Sequence, residues 1–277
     1  MKPRTLFASA AGLAALAALG FRVRPPAVPM PAELASPGTV ALPPDLPEPV
    51  LRYHSSLGLD AGTAPMIDTF LLWGRAWMRR APLLRLPVSF WSEHRVGWSA
   101  RQRLAVTWFG LPVLRGVDDY IDGHGRMRIG RRLVAGPEID QGENLFLWAE
   151  LLLVPSVLAT RPGVRWEAVD AEHAVLHVPF GTGSERLTVR FDPVTGRLAE
   201  CHALRYRTPG RPKVSWHITY EGWVPFPSGW YPGRITVRWA DQSRPWFVLD
   251  VDGVAVNVAV DSDLTVPAAT LQSGRTT

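Results

Sequence analysis

Hydrophobic and polar residues alternate with a period of two along much of the chain, which is the pattern of β-strands with one buried face. The runs that show it are 84–90, 104–108, 126–129, 187–191, 214–220 and 235–239. Turn-forming sequences separate the later runs: GTGS at 181–184, DPVTG at 192–196, TPGRP at 208–212 and PSG at 227–229. Asp252-Gly253, between two apolar runs, predicts a two-residue hairpin turn. We therefore predict about ten antiparallel strands.

One segment breaks this pattern, GPEIDQGENLFLWAELLLVP at 136–155. Pro137 suits a first helical turn, and Asp140 followed by Glu143 matches a capping box with Asp140 as the cap. The rest of the segment is apolar on every side, which predicts a helix buried inside a curved sheet. A second, short helix is predicted over 48–58, with Leu51 facing inward.

These elements predict an α+β fold that is mainly β. A large curved antiparallel sheet, a half-barrel, wraps around one or two helices, because a sheet of that size has to cover its apolar face. We assign residues 48–265 to this single domain, and residues 266–277 to a disordered tail.

The beginning of the chain resembles a targeting segment. Lys2 and Arg4 precede a stretch without charge, 6–21, which predicts that residues 1–24 are a signal peptide or a membrane anchor. Nine Pro in 25–49 predict a stiff linker over 25–47. Both alternatives for the first segment place the folded domain outside the cytoplasm, in the periplasm or cell envelope, either secreted or attached to the membrane.

Charge and cysteine content narrow the functional classes. The net charge is +5 with two Lys, so Arg supplies most of the positive charge, and residues 70–132 contain twelve Arg. Such an excess favours anionic partners, although a solvated sheet face explains it equally well. Cys201 is the single cysteine, which excludes an intramolecular disulfide and predicts a buried strand residue.

Motifs for known chemistry are scarce. There is no HExxH, no GxSxG, and no helix after GTGS to form a phosphate site, so we expect no metal site and no cofactor. His173 and His177 are about 13 Å apart in a strand, too far to share one metal ion. The loop 117–132 contains acidic residues with His124 and fits a divalent cation site, an acid–base pair or an ordinary turn. We expect no nucleic-acid partner, since the export signal argues against one.

Five stretches together resemble a bacterial family of unknown function. They are GPEIDQGENLFLWAELLLVPSVL, GVRWEAVD, RFDPVTGRL, WHITYEGW and GWYPGRITVRW, and the likeness covers roughly residues 48–245. That family is similar in architecture to periplasmic lipoprotein carriers and lipoprotein-sorting proteins, which implies a half-barrel and suggests a lipid-related role. The Pro-rich spacer and FPSGWYPGR depart from the family pattern. The resemblance brings no catalytic residues with it.

The leading functional hypothesis is therefore a non-catalytic envelope protein that binds a lipid or acyl chain in the half-barrel. The expected ligand-binding residues are Trp108, Phe146, Trp148, Glu150, Trp216 and Trp239, with Arg126 and Arg128 meeting anionic headgroups. Glu150 lies within the apolar run and needs a partner, either Arg165 or an Arg of the basic strands, unless it is itself a site carboxylate.

Two alternatives stay open. The first is an envelope hydrolase that uses Glu138, Asp140, Glu143 and His124, which requires these groups to converge in a cleft. The second is a scaffold that binds a protein partner through an exposed sheet edge. The N-terminal segment makes the membrane a further expected partner.

Overall fold

The computed structural model of the chain describes residues 16, 18–27, 31, 38–59, 62–82 and 84–264. The predicted tail 266–277 and most of the predicted targeting segment lie outside these residues. In the part that is described, no helix combines the length and apolarity needed to cross a membrane.

Strands dominate the fold, and three helices accompany them within residues 38–264 as far as these are described. The strands are β1 (Thr39–Ala41), β2 (Thr63–Pro65), β3 (Thr69–Arg79), β4 (Arg85–Arg95), β5 (Ser99–Trp108), β6 (Leu111–Ile121), β7 (His124–Ile129), β8 (Arg132–Ala135), β9 (Arg165–Ala168), β10 (His173–Phe180), β11 (Gly183–Phe191), β12 (Leu198–Arg205), β13 (Val214–Phe226), β14 (Gly229–Trp239) and β15 (Phe247–Val256). The helices are α1 (Glu48–Ser56), α2 (Pro137–Leu151) and α3 (Val157–Thr160).

A single antiparallel sheet of 13 strands contains all of the strands except β1 and β2, which pair with each other. Its order is β8-β7-β6-β5-β4-β3-β15-β14-β13-β12-β11-β10-β9. The chain thus enters at the centre, proceeds strand by strand to the β8 edge, crosses through α2 and α3 to the β9 edge, and returns to pair β15 with β3. The predicted mainly-β half-barrel around buried helices is confirmed, with more strands than the ten expected.

The period of two explains which side chains face the helices. On β13, Trp216, Ile218 and Tyr220 are buried while the residues between them are partly exposed. Helix α2 lies against this apolar face, and Leu145, Leu147 and neighbouring residues of the helix are buried on all sides. This matches the expectation for a helix without a polar face.

The predicted hairpin at Asp252-Gly253 is wrong. Strand β15 continues through these residues, and its pairing with β3 shifts between Val251 and Gly253, which is a β-bulge. Arg75 of β3 donates two hydrogen bonds of 2.7 Å to the Asp252 carboxylate. A Cβ atom on Gly253 would lie 2.1 Å from the ring of Trp73, so glycine is needed here for close packing rather than for a turn.

Three smaller expectations about the helices and the linker also change. In α1 the inward-facing residues are Val50 and Tyr53, whereas Leu51 is 42% exposed. The predicted linker contains β1 and the buried Leu42, so packed structure begins before residue 48. The predicted capping box of α2 does not form, because the helix begins one turn earlier, with Gly136 at the N-cap.

The bulge gives a testable expectation. We expect Gly253→Ala to lower the free energy of unfolding by about 1–3 kcal/mol, because the added methyl group overpacks the buried Trp73 ring. Urea denaturation measures this change. Gly183→Ala is the matched control in another strand, where the nearest atom to the new methyl lies 3.9 Å away. A Gly253→Ala protein as stable as this control would show that the bulge is not required for packing.

Candidate functional site

A cavity of about 320 Å³ lies between α2 and the inner face of the sheet. Its floor consists of alternate residues of the three strands β13, β14 and β15, which the strand period brings to one face. Apolar side chains form most of its lining: Leu104, Met127, Ile139, Phe146, Ala149, Trp216, Ile218, Tyr220, Ile235, Val237, Trp239, Trp246, Phe247 and Leu249. The arrangement suits a ligand with a substantial apolar part.

Arg205 forms the polar end of this cavity. Its guanidinium lies 4.6 Å from the centre of the Trp216 ring and donates a hydrogen bond of 3.2 Å to Oε1 of Glu143. On the other side it approaches the helix at Gly142, where a Cβ atom would lie 3.0 Å from Nε of Arg205. The guanidinium is therefore held between an aromatic face and a helix position without a side chain.

Two carboxyl groups share this one guanidinium. Burial raises the pKa of Glu143 to about 8, although Arg205 opposes the shift, and the charge of Asp118 adds to it. Burial likewise raises the pKa of Asp118 to about 6, again against the effect of Arg205. Burial also lowers the pKa of Arg205. The polar end of the cavity therefore holds more carboxyl groups than cations, and part of that charge is removed by protonation.

Glu150 lies about two turns after Glu143 in α2, and its partners differ from those expected. Its Oε2 atom accepts hydrogen bonds of 2.5 Å from Ser92 Oγ and from His94 Nε2, and His94 is fully buried. The expectation of Arg165 or another Arg as the partner is wrong, since Arg165 is mostly exposed and lies beside Glu167 at the β9 edge. Ser92 and His94 have the same parity on β4 as the buried Val88 and Phe90, which is a pattern that the sequence contains.

Several of the predicted ligand-binding residues line the cavity. Phe146, Glu150, Trp216 and Trp239 all contribute to its wall. Trp148 is not among the lining residues, because it points away from the cavity and is 1% exposed within the core. Their role in binding stays a prediction.

The other predicted binding residues lie elsewhere. The ring of Trp108 packs against the ring of Phe109 and against Gly20. A Cβ atom on Gly20 would lie 2.0 Å from the Trp108 ring. Arg126 and Arg128 point to the opposite face of the sheet, where they line a shallow depression. The reason is strand parity, since only Met127 between these two arginines faces the cavity.

The groups of the hydrolase alternative do not meet at one place. Asp140 accepts a hydrogen bond of 2.7 Å from the backbone of Gly125 and lies 3.7 Å from the exposed His124. Glu138 is half-buried at the edge of the cavity, and Glu143 faces Arg205 inside it. No shared cleft therefore brings these four side chains together within the described residues.

The acidic loop expected at 117–132 is mostly strand. Asp118 and Asp119 lie in β6 and point to opposite faces, Asp118 toward Arg205 and Asp119 toward Arg101 at 2.6 Å. Only Asp122, with a φ of 52°, belongs to a tight turn. The sheet therefore separates Asp118 from Asp119, and these carboxylates do not form the cation site that their spacing allowed.

Among the residues that the structure describes, one group of side chains could hold a metal ion. Donor atoms of Glu200, His202 and His217 lie within 4.8 Å of one another. They lie on the outer face, because His202 alternates on β12 with the buried Cys201 and Ala203. His202 pairs directly with His217 of β13, a contact that sequence spacing does not reveal. Glu200 and His217 already satisfy each other through a hydrogen bond of 2.8 Å, with Ser215 at the other ring nitrogen.

Arg205 is the main cavity residue that the sequence analysis missed. It follows Cys201 and Ala203 at inward-facing positions of β12, and both of these are buried. A charged residue at the third inward position of such a strand is the available signal. It is easily overlooked because Arg207, two residues on, is exposed.

The fold and cavity define a class of protein, an open antiparallel half-barrel with a buried helix and an apolar pocket. The model of the family of unknown function DUF6544 matches residues 38–250, and the chain belongs to this family. The family membership that the sequence motifs predicted is thereby confirmed. No curated protein matches the chain.

Solved structures with related architecture share little sequence with the chain. A LolA superfamily protein from Nitrosomonas europaea has a TM-score of 0.46 and 12% identity, covering 78% of this chain and 96% of its own. A domain from Vibrio parahaemolyticus assigned to outer membrane lipoprotein sorting has a TM-score of 0.44 and 8% identity, covering 77% and 94%. A DUF1329 family protein from Desulfovibrio piger has a TM-score of 0.45 and 11% identity, covering 80% and 96%.

The raised pKa of Glu143 predicts a pH dependence of stability. In the unfolded chain this carboxyl ionises near its ordinary pKa of 4.5, whereas in the folded protein it keeps its proton to about pH 8. The folded state therefore binds the extra proton in this window, and its stability falls as the pH rises from about 5 to about 8. Since Glu143→Gln does not titrate, we expect its stability relative to the wild type to rise by roughly 1 kcal/mol per pH unit.

Urea denaturation at a series of pH values tests this expectation. Taking the difference between variant and wild type removes the contributions of other groups, such as His54, whose pKa burial lowers to about 4. Glu221→Gln, at an exposed position of β13, is the control for the substitution of Glu by Gln itself. A flat difference for Glu143→Gln would contradict the raised pKa of Glu143.

Proposed function

We propose that the chain is an extracytoplasmic envelope protein that binds a lipid or another molecule with an acyl chain in the half-barrel cavity, without catalysis. The observation that carries this proposal is the cavity of about 320 Å³ that side chains leave open between α2 and an apolar sheet face. Its volume falls within the range of about 300–1,000 Å³ that is usual for small-molecule sites.

Apolar burial supplies the affinity in this proposal. Each methylene group that moves from water into the cavity contributes about 0.8 kcal/mol, so a short acyl chain suffices for useful binding. The aromatic rings of Trp216 and Trp239 give this part of the wall a large apolar area. Polar atoms of the ligand would meet the end of the cavity where Arg205 and Glu143 lie, which fixes the orientation of the ligand.

Location is part of the same proposal. The positive residues and uncharged stretch at the start of the chain support export, with the segment 1–24 either removed or kept as an anchor. The described residues 18–27 reach the folded domain, because the carbonyl oxygen of Gly20 accepts a hydrogen bond of 2.8 Å from the backbone of Phe109. We therefore propose that the domain works close to the membrane surface.

Filling the cavity tests the proposal. Val237 lines the cavity from β14, and we expect Val237→Trp to occupy the space and to lower ligand binding at least tenfold. The full chain, expressed with export and purified without detergent, is analysed by native mass spectrometry and solvent extraction, before and after phosphatidylglycerol and palmitate are offered. A stoichiometric lipid on the wild type and little on the variant is the expected result.

Val224→Trp is the matched control, since this Val on β13 is 40% exposed and does not line the cavity. Thermal melting of all three proteins shows whether they are folded. A wild-type protein that stays empty when both lipids are offered would refute the proposal, as would equal lipid binding by Val237→Trp.

A further inference from the structure

Antiparallel strands reverse direction at each turn, so every second hairpin turn lies at the same rim of the sheet. One rim carries the turns β3–β4, β5–β6, β7–β8, β12–β13 and β14–β15. We call it the mouth rim, since the cavity reaches it. The lining residues Arg80, Tyr206, Arg207 and Trp246 all belong to these turns or follow directly after a strand that ends there. Arg80 and Arg207 are exposed, so the cavity meets solvent at this rim.

Large apolar side chains are exposed at one corner of the mouth rim, formed by the turns β5–β6 and β7–β8. This apolar corner consists of Leu111 (69% exposed), Val113 (57%), Leu114 (45%), Ile129 (49%) and Leu133 (51%). The two turns touch, since the position of a Cβ atom on Gly130 lies 3.6 Å from Cδ1 of Leu114. Leu133 pairs with Arg128 and lies on the outer face, whereas Ile129 has the parity of the inward-facing Met127, so apolar side chains are exposed on both faces of this corner. Scattered exposed aliphatic residues are ordinary, whereas five at one corner of a sheet mark a surface that meets an apolar partner.

Arginine residues accompany the apolar corner and continue along the mouth rim. The exposed ones are Arg80, Arg85, Arg115, Arg131, Arg132, Arg207, Arg211 and Arg244. In the described part of the chain, Arg207 is the one member of this group with an ion pair, to Asp241 at 2.8 Å. Arg85 and Arg244 lie close enough to Arg79 that their charges, together with burial, lower the pKa of Arg79. Such a rim attracts a surface of negative charge.

The N-terminal segment reaches the fold at this same corner. Gly20 is buried against the ring of Trp108, and its carbonyl oxygen accepts the backbone N–H of Phe109. Nearby, Leu19 and Val23 are 51% and 38% exposed and add apolar surface to the corner. The described part of the N-terminal segment therefore contributes apolar surface to this corner.

We propose that the apolar corner and its arginines dock on a bilayer that contains anionic phospholipids. The aliphatic side chains enter the interface between headgroups and acyl chains, and Arg115, Arg131 and Arg132 bind lipid phosphates. The cavity opening on the same rim then faces the bilayer surface. Docking stands independently of the proposed ligand, whereas passage of a lipid between bilayer and cavity rests on the proposed function.

Site-specific fluorescence on the full chain tests the docking. Leu111→Cys and Leu133→Cys, each labelled with an environment-sensitive dye, report the apolar corner, and the buried Cys201 stays unlabelled. Val194→Cys is the control, because this Val is 91% exposed in the β11–β12 turn at the opposite rim. The vesicles contain phosphatidylglycerol and phosphatidylcholine in equal amounts, or phosphatidylcholine alone.

We expect a blue shift of the dye and quenching by lipid-attached quenchers at positions 111 and 133 on the anionic vesicles, and neither at position 194. Replacing both Arg131 and Arg132 with Gln should weaken the response to anionic vesicles at least threefold and leave the melting temperature unchanged. Anchoring by the N-terminal segment without docking would leave positions 111 and 133 as unshifted as 194, which would overturn the proposal. A blue shift that grows with protein concentration before vesicles are added would show that a second copy covers the corner, and would overturn it equally.

Discussion

The crossing of α2 from one edge of the sheet to the other is the constraint on which the rest of the structure depends. The chain builds β3 to β8 outward from the centre and then has to reach β9 at the far edge. The apolar face of the sheet also needs cover, so a buried helix in the crossing segment serves both needs. This explains why α2 has no polar face and why Gly142 and Ala149 occur where the helix approaches Arg205 and the cavity. The cavity is the space that the crossing leaves between the helix and β13 to β15.

Carboxyl groups carried into the interior by the crossing helix set the electrostatics of the site. Glu150 accepts hydrogen bonds from Ser92 and His94 on β4, and Glu143 accepts one from Arg205 on β12. A buried charge is costly without such partners, so strands far apart in sequence have to supply them. Asp118 adds a second carboxyl group near the same guanidinium, and the raised pKa values of Asp118 and Glu143 are the result. An apolar cavity with a polar end of this kind suits an amphiphile better than a pure hydrocarbon.

Particular residues show how far the sequence could lead. The period of two on β13 and the unbroken apolar run of α2 predicted the half-barrel with a buried helix, because both patterns follow from which faces lack water. The same local reasoning failed at Asp252-Gly253, where the glycine serves the contact with Trp73 and not a turn. It also placed Arg126 and Arg128 at the expected binding site, although their parity in β7 directs them to the outer face. Trp216 and Trp239 were placed on the cavity wall because large inward-facing aromatic residues are visible in the alternation of their strands, and Phe146 because it belongs to the apolar run of α2.

The sequence by itself determined the class of fold, the burial of α2 and the apolar character of the inner face, since these depend on local periodicity. Only the tertiary structure decided which partners the buried carboxylates have, that β15 closes the sheet on β3, and that the cavity, the exposed aliphatic corner and the arginines share one rim. Strand pairing joins residues that are far apart in the chain, and a single sequence contains no local record of that pairing.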